Sequence, residues 1–222
     1  MNLSFSNSRE IDSAYIIRLS GNRTSIELSD RCMQSCEAVG QTARFWEGFD
    51  GTDGRSVVAP SHLKGKDYLN WVKVHDNKIT SSQLGCALSH FSLWCHCLTI
   101  DKPIVILEHD AIMLEPLRVF EFYNMIQYLG CVEQFNGAPQ YIIPPHGTAY
   151  ERRLSFIARA HAYAIDPQVA KNMVTRFIQN GIFATTTADV FMRADIFPIV
   201  QKGMYAYDLW DDDVSTIEEL PL

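Results

Sequence analysis

Four apolar residues, Ile104 to Leu107, run without a polar interruption and stop directly on Glu108, His109 and Asp110. A run this short is a buried strand; a membrane span needs about 18 consecutive apolar residues, which the chain nowhere contains. A strand that leaves the interior straight onto charged groups constrains the architecture around it. Upstream, Ala14 to Leu19 reads as a first strand and Ser20 to Arg23 as a turn. Thr24 followed by Glu27 fits a capping box for a helix that runs to Val39 and stops at Gly40. Thr42 to Glu47 reads as a second strand, and GFDGTDG after it is a loop. Strand, helix, strand is the unit that builds parallel sheets with ligand loops at the strand carboxyl ends.

The same alternation continues. Leu84, Leu88, Phe91, Trp94, Cys95 and Leu98 place one apolar stripe on a helix from Ser82 to Thr99. Arg118 to Leu129 reads as helical, Gln140 to Ile143 as a strand, and Phe156 to Ile165 as a strand with small residues on one face. Asp166 and Pro167 supply the cap and first position of a helix reaching Gln179, ended near Gly181. The pattern predicts a three-layer α/β domain with a mostly parallel central sheet flanked by helices.

Composition agrees with a single packed unit. The chain has 222 residues, 47% hydrophobic and 11% aromatic, enough to bury a core and too apolar for disorder. The net charge of -7 is concentrated: residues 208–222 hold six acids and no Lys or Arg, leaving 19 basic against 20 acidic residues in the body. The expected organisation is a domain over 1–207 and an acidic C-terminal tail over 208–222. A near-neutral body disfavours a nucleic-acid partner, although Arg152, Arg153 and Arg159, near His146 and His161, are a local basic cluster. The N-terminal segment is polar and carries Arg9 and Glu10, which is no secretion signal. Six cysteines without a CxxC pair then read as reduced core thiols of a cytoplasmic protein. Cys95, His96 and Cys97 are a poor zinc set, because adjacent helical residues point apart.

Glu108 and Asp110 are the first candidates for chemistry. Two carboxylates two apart at a strand exit can converge on a hard divalent cation such as Mg2+ or Mn2+, or can merely cap a turn. Ser89 and His90 lie mid-helix, where neighbours diverge by about 100 degrees, so they are not a nucleophile dyad. Packing and substrate contact are both open to them. Asp189 follows three threonines and precedes an apolar run, a position that also suits a helix cap.

The blocks AYIIRLSGNR (14–23), GFDG (48–51), GCALSHFSLW (85–94), ILEHD (106–110), AYAI (162–165), ADVFM (188–192) and VSTI (214–217) occur in one order. As an ordered set they resemble glycosyltransferase family 25, the lipooligosaccharide galactosyltransferase group that also has collagen-modifying relatives. The helix block fits the family's Gly-Cys-x-x-Ser-His-x-x-Leu-Trp pattern at every marked position. The chain departs from the family at Arg18, where Asn is usual, and at His109, the central acid of a Leu-Glu-Asp-Asp run.

The resemblance implies a GT-A-like domain and a hexosyltransferase of lipopolysaccharide biosynthesis. Such an enzyme transfers a sugar with inversion from a nucleotide-sugar donor, a UDP-sugar foremost, to a hydroxyl of a glycan or similar acceptor. By the same resemblance, Leu19, Arg23, Asp50, Gly51, Ser89, His90 and Glu108 belong to the nucleotide-sugar site. Glu108 and Asp110 would hold Mn2+ or Mg2+, and Asp189 would be the catalytic base. Two rival readings keep the fold: the same transfer to a hydroxymethylated base in DNA, and a non-catalytic nucleotide-sugar or glycan binder.

Overall fold

The structure is a computed structural model that describes residues 9–52, 54, 56–63, 68–75, 79–130, 140–142, 160–182 and 188–208. In chain order the elements are β1 (Arg9–Glu10), β2 (Ala14–Arg18), α1 (Arg23–Val39), β3 (Ala43–Glu47), α2 (Tyr68–Trp71) and α3 (Ser81–Ile100). There follow β4 (Ile104–Leu107), β5 (Ala111–Met113), β6 (Val119–Phe120), β7 (Ile126–Tyr128) and β8 (Gln140–Ile142). The last are β9 (Ala162–Ile165), α4 (Pro167–Asn180), α5 (Ala188–Phe191), β10 (Ile199–Gln201) and β11 (Ala206–Asp208).

Seven strands form the central sheet in the order β3-β2-β4-β9-β7-β10-β8. The sheet is mixed, which corrects the mostly parallel expectation. β3, β2 and β4 are parallel, as are β7 and β10, but β9 runs antiparallel to both β4 and β7, and β8 runs antiparallel to β10. IVIL and AYAI are equally buried, so hydrophobic pattern marks both as interior strands and carries no direction. Two antiparallel pairs, β1 with β6 and β5 with β11, lie outside this sheet.

Each face of the sheet is covered. Alternation along β4 sends Ile104 and Ile106 to one side, where α3 and α4 pack through Leu88, Phe91, Trp94, Met173 and Phe177. Val105 and Leu107 face the other side with Ala162 and Ala164 of β9, against Cys32 and Cys36 of α1 and Met113 of β5. The small residues of β9 thus share one face, as read from sequence, and that face is the one toward α1.

Two local expectations fail. The cap of α1 is Asn22, whose side chain accepts a hydrogen bond from Ser25 N at 2.9 Å. Thr24 is already helical, and Glu27 pairs with Arg23 at 2.7 Å in place of closing a capping box. Gly40 ends the helix at φ 71°, as expected. Residues 118–129 are not a helix; they form β6 and β7, separated by a turn with Asn124 at φ 57°. The stretch is dense in β-branched and aromatic residues that lose side-chain freedom in a helix, and β7 gains full burial between β9 and β10. By contrast α3 begins one residue early with a complete capping box, Thr80 with Gln83.

Candidate active site

The parallel strands β3, β2 and β4 end on the same edge of the sheet, and the blocks at 48–51, 85–94 and 106–110 meet there. After β4 the chain turns, with Ala111 N donating to Glu108 O at 3.2 Å and Glu108 N donating to His161 O at 2.8 Å. This turn sends the three polar residues of EHD to different surroundings.

Glu108 faces α3. Its Oε1 lies 2.9 Å from His90 Nε2, and His90 Nδ1 lies 2.8 Å from the Tyr163 hydroxyl. Trp94 Nε1 donates to that hydroxyl at 2.9 Å. Because indole N–H only donates, the phenol oxygen accepts from Trp94 and its proton is available to His90 Nδ1. His90 then carries its own proton on Nε2 and donates it to the Glu108 carboxylate. His90 is 1% exposed and Glu108 29%, so the carboxylate keeps a face toward solvent while the imidazole has none. Burial pushes the Glu108 carboxyl up, but the hydrogen bond from His90 and the nearby imidazoles of His109 and His161 more than offset it. The net position is below the ordinary carboxylate range.

His109 faces α1, with Nδ1 3.2 Å from Ser25 Oγ, which itself accepts from Leu19 N at 3.0 Å. Asp110 sits near Cys32 of α1, and its Oδ1 is buried without a hydrogen-bond partner among the described residues. Burial and then the Glu108 charge push its carboxyl above the ordinary value. An ionised oxygen left bare in a low-dielectric site is costly unless a cation or donor arrives.

The GFDG loop is clamped to α3. Ser89 Oγ donates to Gly85 O at 2.7 Å and accepts from Phe49 N at 2.8 Å. A Cβ on Gly85 would lie 2.6 Å from the Phe49 carbonyl oxygen, and one on Gly51 would collide with the Ser81 carbonyl. Backbone meets backbone here, which only glycine permits. Asp50 is held beside Gly21 and accepts from Thr52 N and Oγ1 at 2.9 and 2.6 Å.

The residues expected to contact a nucleotide sugar therefore separate. Asp50, Gly51 and Glu108 line the edge itself. Ser89 and His90 are buried; Ser89 holds the loop and His90 holds Glu108. Leu19 is buried and presents its N–H to Ser25, while Arg23 is 91% exposed and paired with Glu27. Asp189 falls in the short helix α5, and its side chain lies outside the described residues, as do His146, Arg152, Arg153 and Arg159. Asp208, assigned to the tail, is paired in β11 with Ala111; residues 209–222 are outside the described part.

Sequence reasoning missed Tyr163 and the polar role of Trp94. The signal was present: a tyrosine among alanines in a buried strand needs a partner for its hydroxyl. His96 and Cys97 have separate partners, Cys97 Sγ donating to Lys102 O and His96 Nε2 lying 2.9 Å from Tyr15 OH. Among the described residues the cluster with metal-ligand spacing is instead Cys86, His90 and Glu108, with donor atoms within 4.8 Å of one another. The described cysteines, Cys32, Cys36, Cys86, Cys95 and Cys97, form no disulfide. No helix among the described residues is long and apolar enough to cross a membrane.

No curated protein and no solved structure matches the chain. A family model does, over residues 14–192, a span that takes in the strand β2, the GFDG loop, the α3 block, the Glu108 turn, β9 and α5. With that match covering most of the sequence, the chain belongs to glycosyltransferase family 25, described as LPS biosynthesis proteins.

Proposed function

We infer that the protein is an inverting hexosyltransferase of GT-A type that moves a sugar from a UDP-sugar to a hydroxyl of a lipopolysaccharide precursor in the cytoplasm. The observation that carries this reading is the buried Oδ1 of Asp110, without a hydrogen-bond partner among the described residues, two positions along from the partly exposed Glu108. A buried carboxylate oxygen in this condition suits a hard divalent cation, Mn2+ or Mg2+, which the exposed part of Glu108 would share. When bound, such an ion supplies charge neutralisation for the diphosphate leaving group.

This chain's own residues would do the rest. The Asp50–Gly51 loop, fixed to α3 through Ser89, offers a rigid edge for the nucleotide. His90 keeps Glu108 ionised and pointed outward. Asp189 is proposed as the base that accepts the proton from the acceptor hydroxyl, since the two carboxylates at the leaving-group side are poorly placed for that step.

Calorimetry with UDP, with and without Mn2+, tests the reading. Wild-type protein should bind UDP tightly only with Mn2+, and Asp110→Asn should lose that dependence while retaining a cooperative melt. Equal affinity in the two proteins would overturn the assignment. With a confirmed acceptor, Asp189→Asn should keep donor affinity and lower turnover by about 10²–10⁴-fold.

A further inference from the structure

We propose that Cys86, His90 and Glu108 form a second cation site, selective for a thiophilic ion of the zinc class. Cys86 and His90 are four apart on α3, so their side chains rise from one face, one above the other. The three donor atoms lie within 4.8 Å of one another. Two ligands on one tetrahedral zinc ion stand about 3.3 Å apart. His90 Nε2 and Glu108 Oε1 are already 2.9 Å apart, so an ion replaces the shared proton with little movement.

The surroundings favour the same conclusion. A ligating histidine usually donates its other ring N–H to an outer partner that fixes the ring. The Tyr163 hydroxyl, 2.8 Å from Nδ1, is that partner, and it is anchored in turn by Trp94. On binding, the Cys86 thiol proton leaves to solvent, the imidazole proton passes from Nε2 to Nδ1, and the Tyr163 hydroxyl turns from donor to acceptor in that bond. Cys86 and Glu108 are only partly buried, which leaves an entry path and an open coordination position. A sulfur, nitrogen and oxygen set suits zinc-class ions, whereas Mg2+ requires an octahedron of oxygens. The site is thus distinct in chemistry from the Asp110 position, though both draw on Glu108.

Co2+ added to metal-free full-length protein provides the test, because thiolate ligation gives a charge-transfer band in the near ultraviolet. One equivalent should produce the band, and Mg2+ in large excess should not remove it. Cys86→Ser should abolish the band, and Glu108→Gln should keep it while weakening Co2+ by about tenfold or more. Asp110→Asn should leave band and affinity unchanged, which separates this site from the proposed Mn2+ response. Absence of the band in wild-type protein, its survival in Cys86→Ser, or unaltered affinity in Glu108→Gln would each overturn the proposal.

Discussion

On the α3 side of the sheet, Glu108 ends a run of hydrogen bonds from Trp94 through Tyr163 and His90. On the α1 side, two residues further on, Asp110 keeps a buried oxygen with no hydrogen-bond partner among the described residues. The fold holds the first carboxylate in its charged form and works against the charged form of the second. A group satisfied from within the protein says little about ligands. One left without a partner among the described residues is where an added ligand would have most to supply.

Removing the centre of the α3 run should have the largest effect. His90→Ala strips Glu108 of its donor, leaves the Tyr163 hydroxyl facing a cavity and opens a hole in the core. Losing a hydrogen bond to a charged group costs about 1.5–3 kcal/mol, and the cavity left by the imidazole adds to it. Denaturant unfolding with an unchanged slope measures it. A loss below about 1 kcal/mol, no more than an ordinary substitution, would show that the run does not hold Glu108.

Tyr163→Phe is the next smaller break. It deletes one oxygen and leaves Trp94 Nε1 and His90 Nδ1 unpaired in the core, at about 1–3 kcal/mol. It should also release the imidazole from a single tautomer. Long-range proton–nitrogen correlation spectra of His90 would show one tautomer in the wild type and a mixture in the variant. An unchanged spectrum would mean that Glu108 alone fixes the ring.

The same contrast explains what could be read from the sequence. The apolar stripe of α3, the four-residue strand β4 and the glycine-marked loop each carry a local pattern with a single physical meaning, and each formed where expected. Gly85 falls within the helix block read from sequence, and the structure gives its reason, the close approach of the Phe49 carbonyl. Direction within the sheet was not legible, because a buried strand such as β9 looks alike in both orientations. Nor was the β6–β7 segment, where tertiary burial of Ile126 and Tyr128 overrode a weak helical period. The pairing of Glu108 with His90 joins residues 18 apart, and that of His90 with Tyr163 joins residues 73 apart. Only the packed sheet brings such positions together, so their types were visible while their contact was not.

The finest division between the two carboxylates lies in the sign of their pH dependence. Asp110 has its folded value raised, first by burial and then by Glu108. Its favourable contribution is therefore complete when it is protonated and is lost as pH rises through the folded value. At neutral pH, in metal-free protein, Asp110 should therefore weaken the fold relative to acid. Asp110→Asn should accordingly raise the melting temperature at neutral pH, with the gain shrinking as pH falls toward the range where Asp110 is protonated folded and unfolded. Glu108 has its folded value lowered, so its contribution is present above the ordinary carboxylate range and is lost as pH falls through the lowered value. Glu108→Gln should therefore lower the melting temperature at neutral pH. Thermal melts of both variants in chelator from about pH 4 to pH 8 compare the two directly. Mn2+ should then stabilise the wild type and leave Asp110→Asn unmoved, since the variant no longer holds the bare charge that the cation would neutralise. If Asp110→Asn melts below wild type at neutral pH, the asparagine has lost a contact the aspartate was making, and Asp110 is a structural residue of the α1 face.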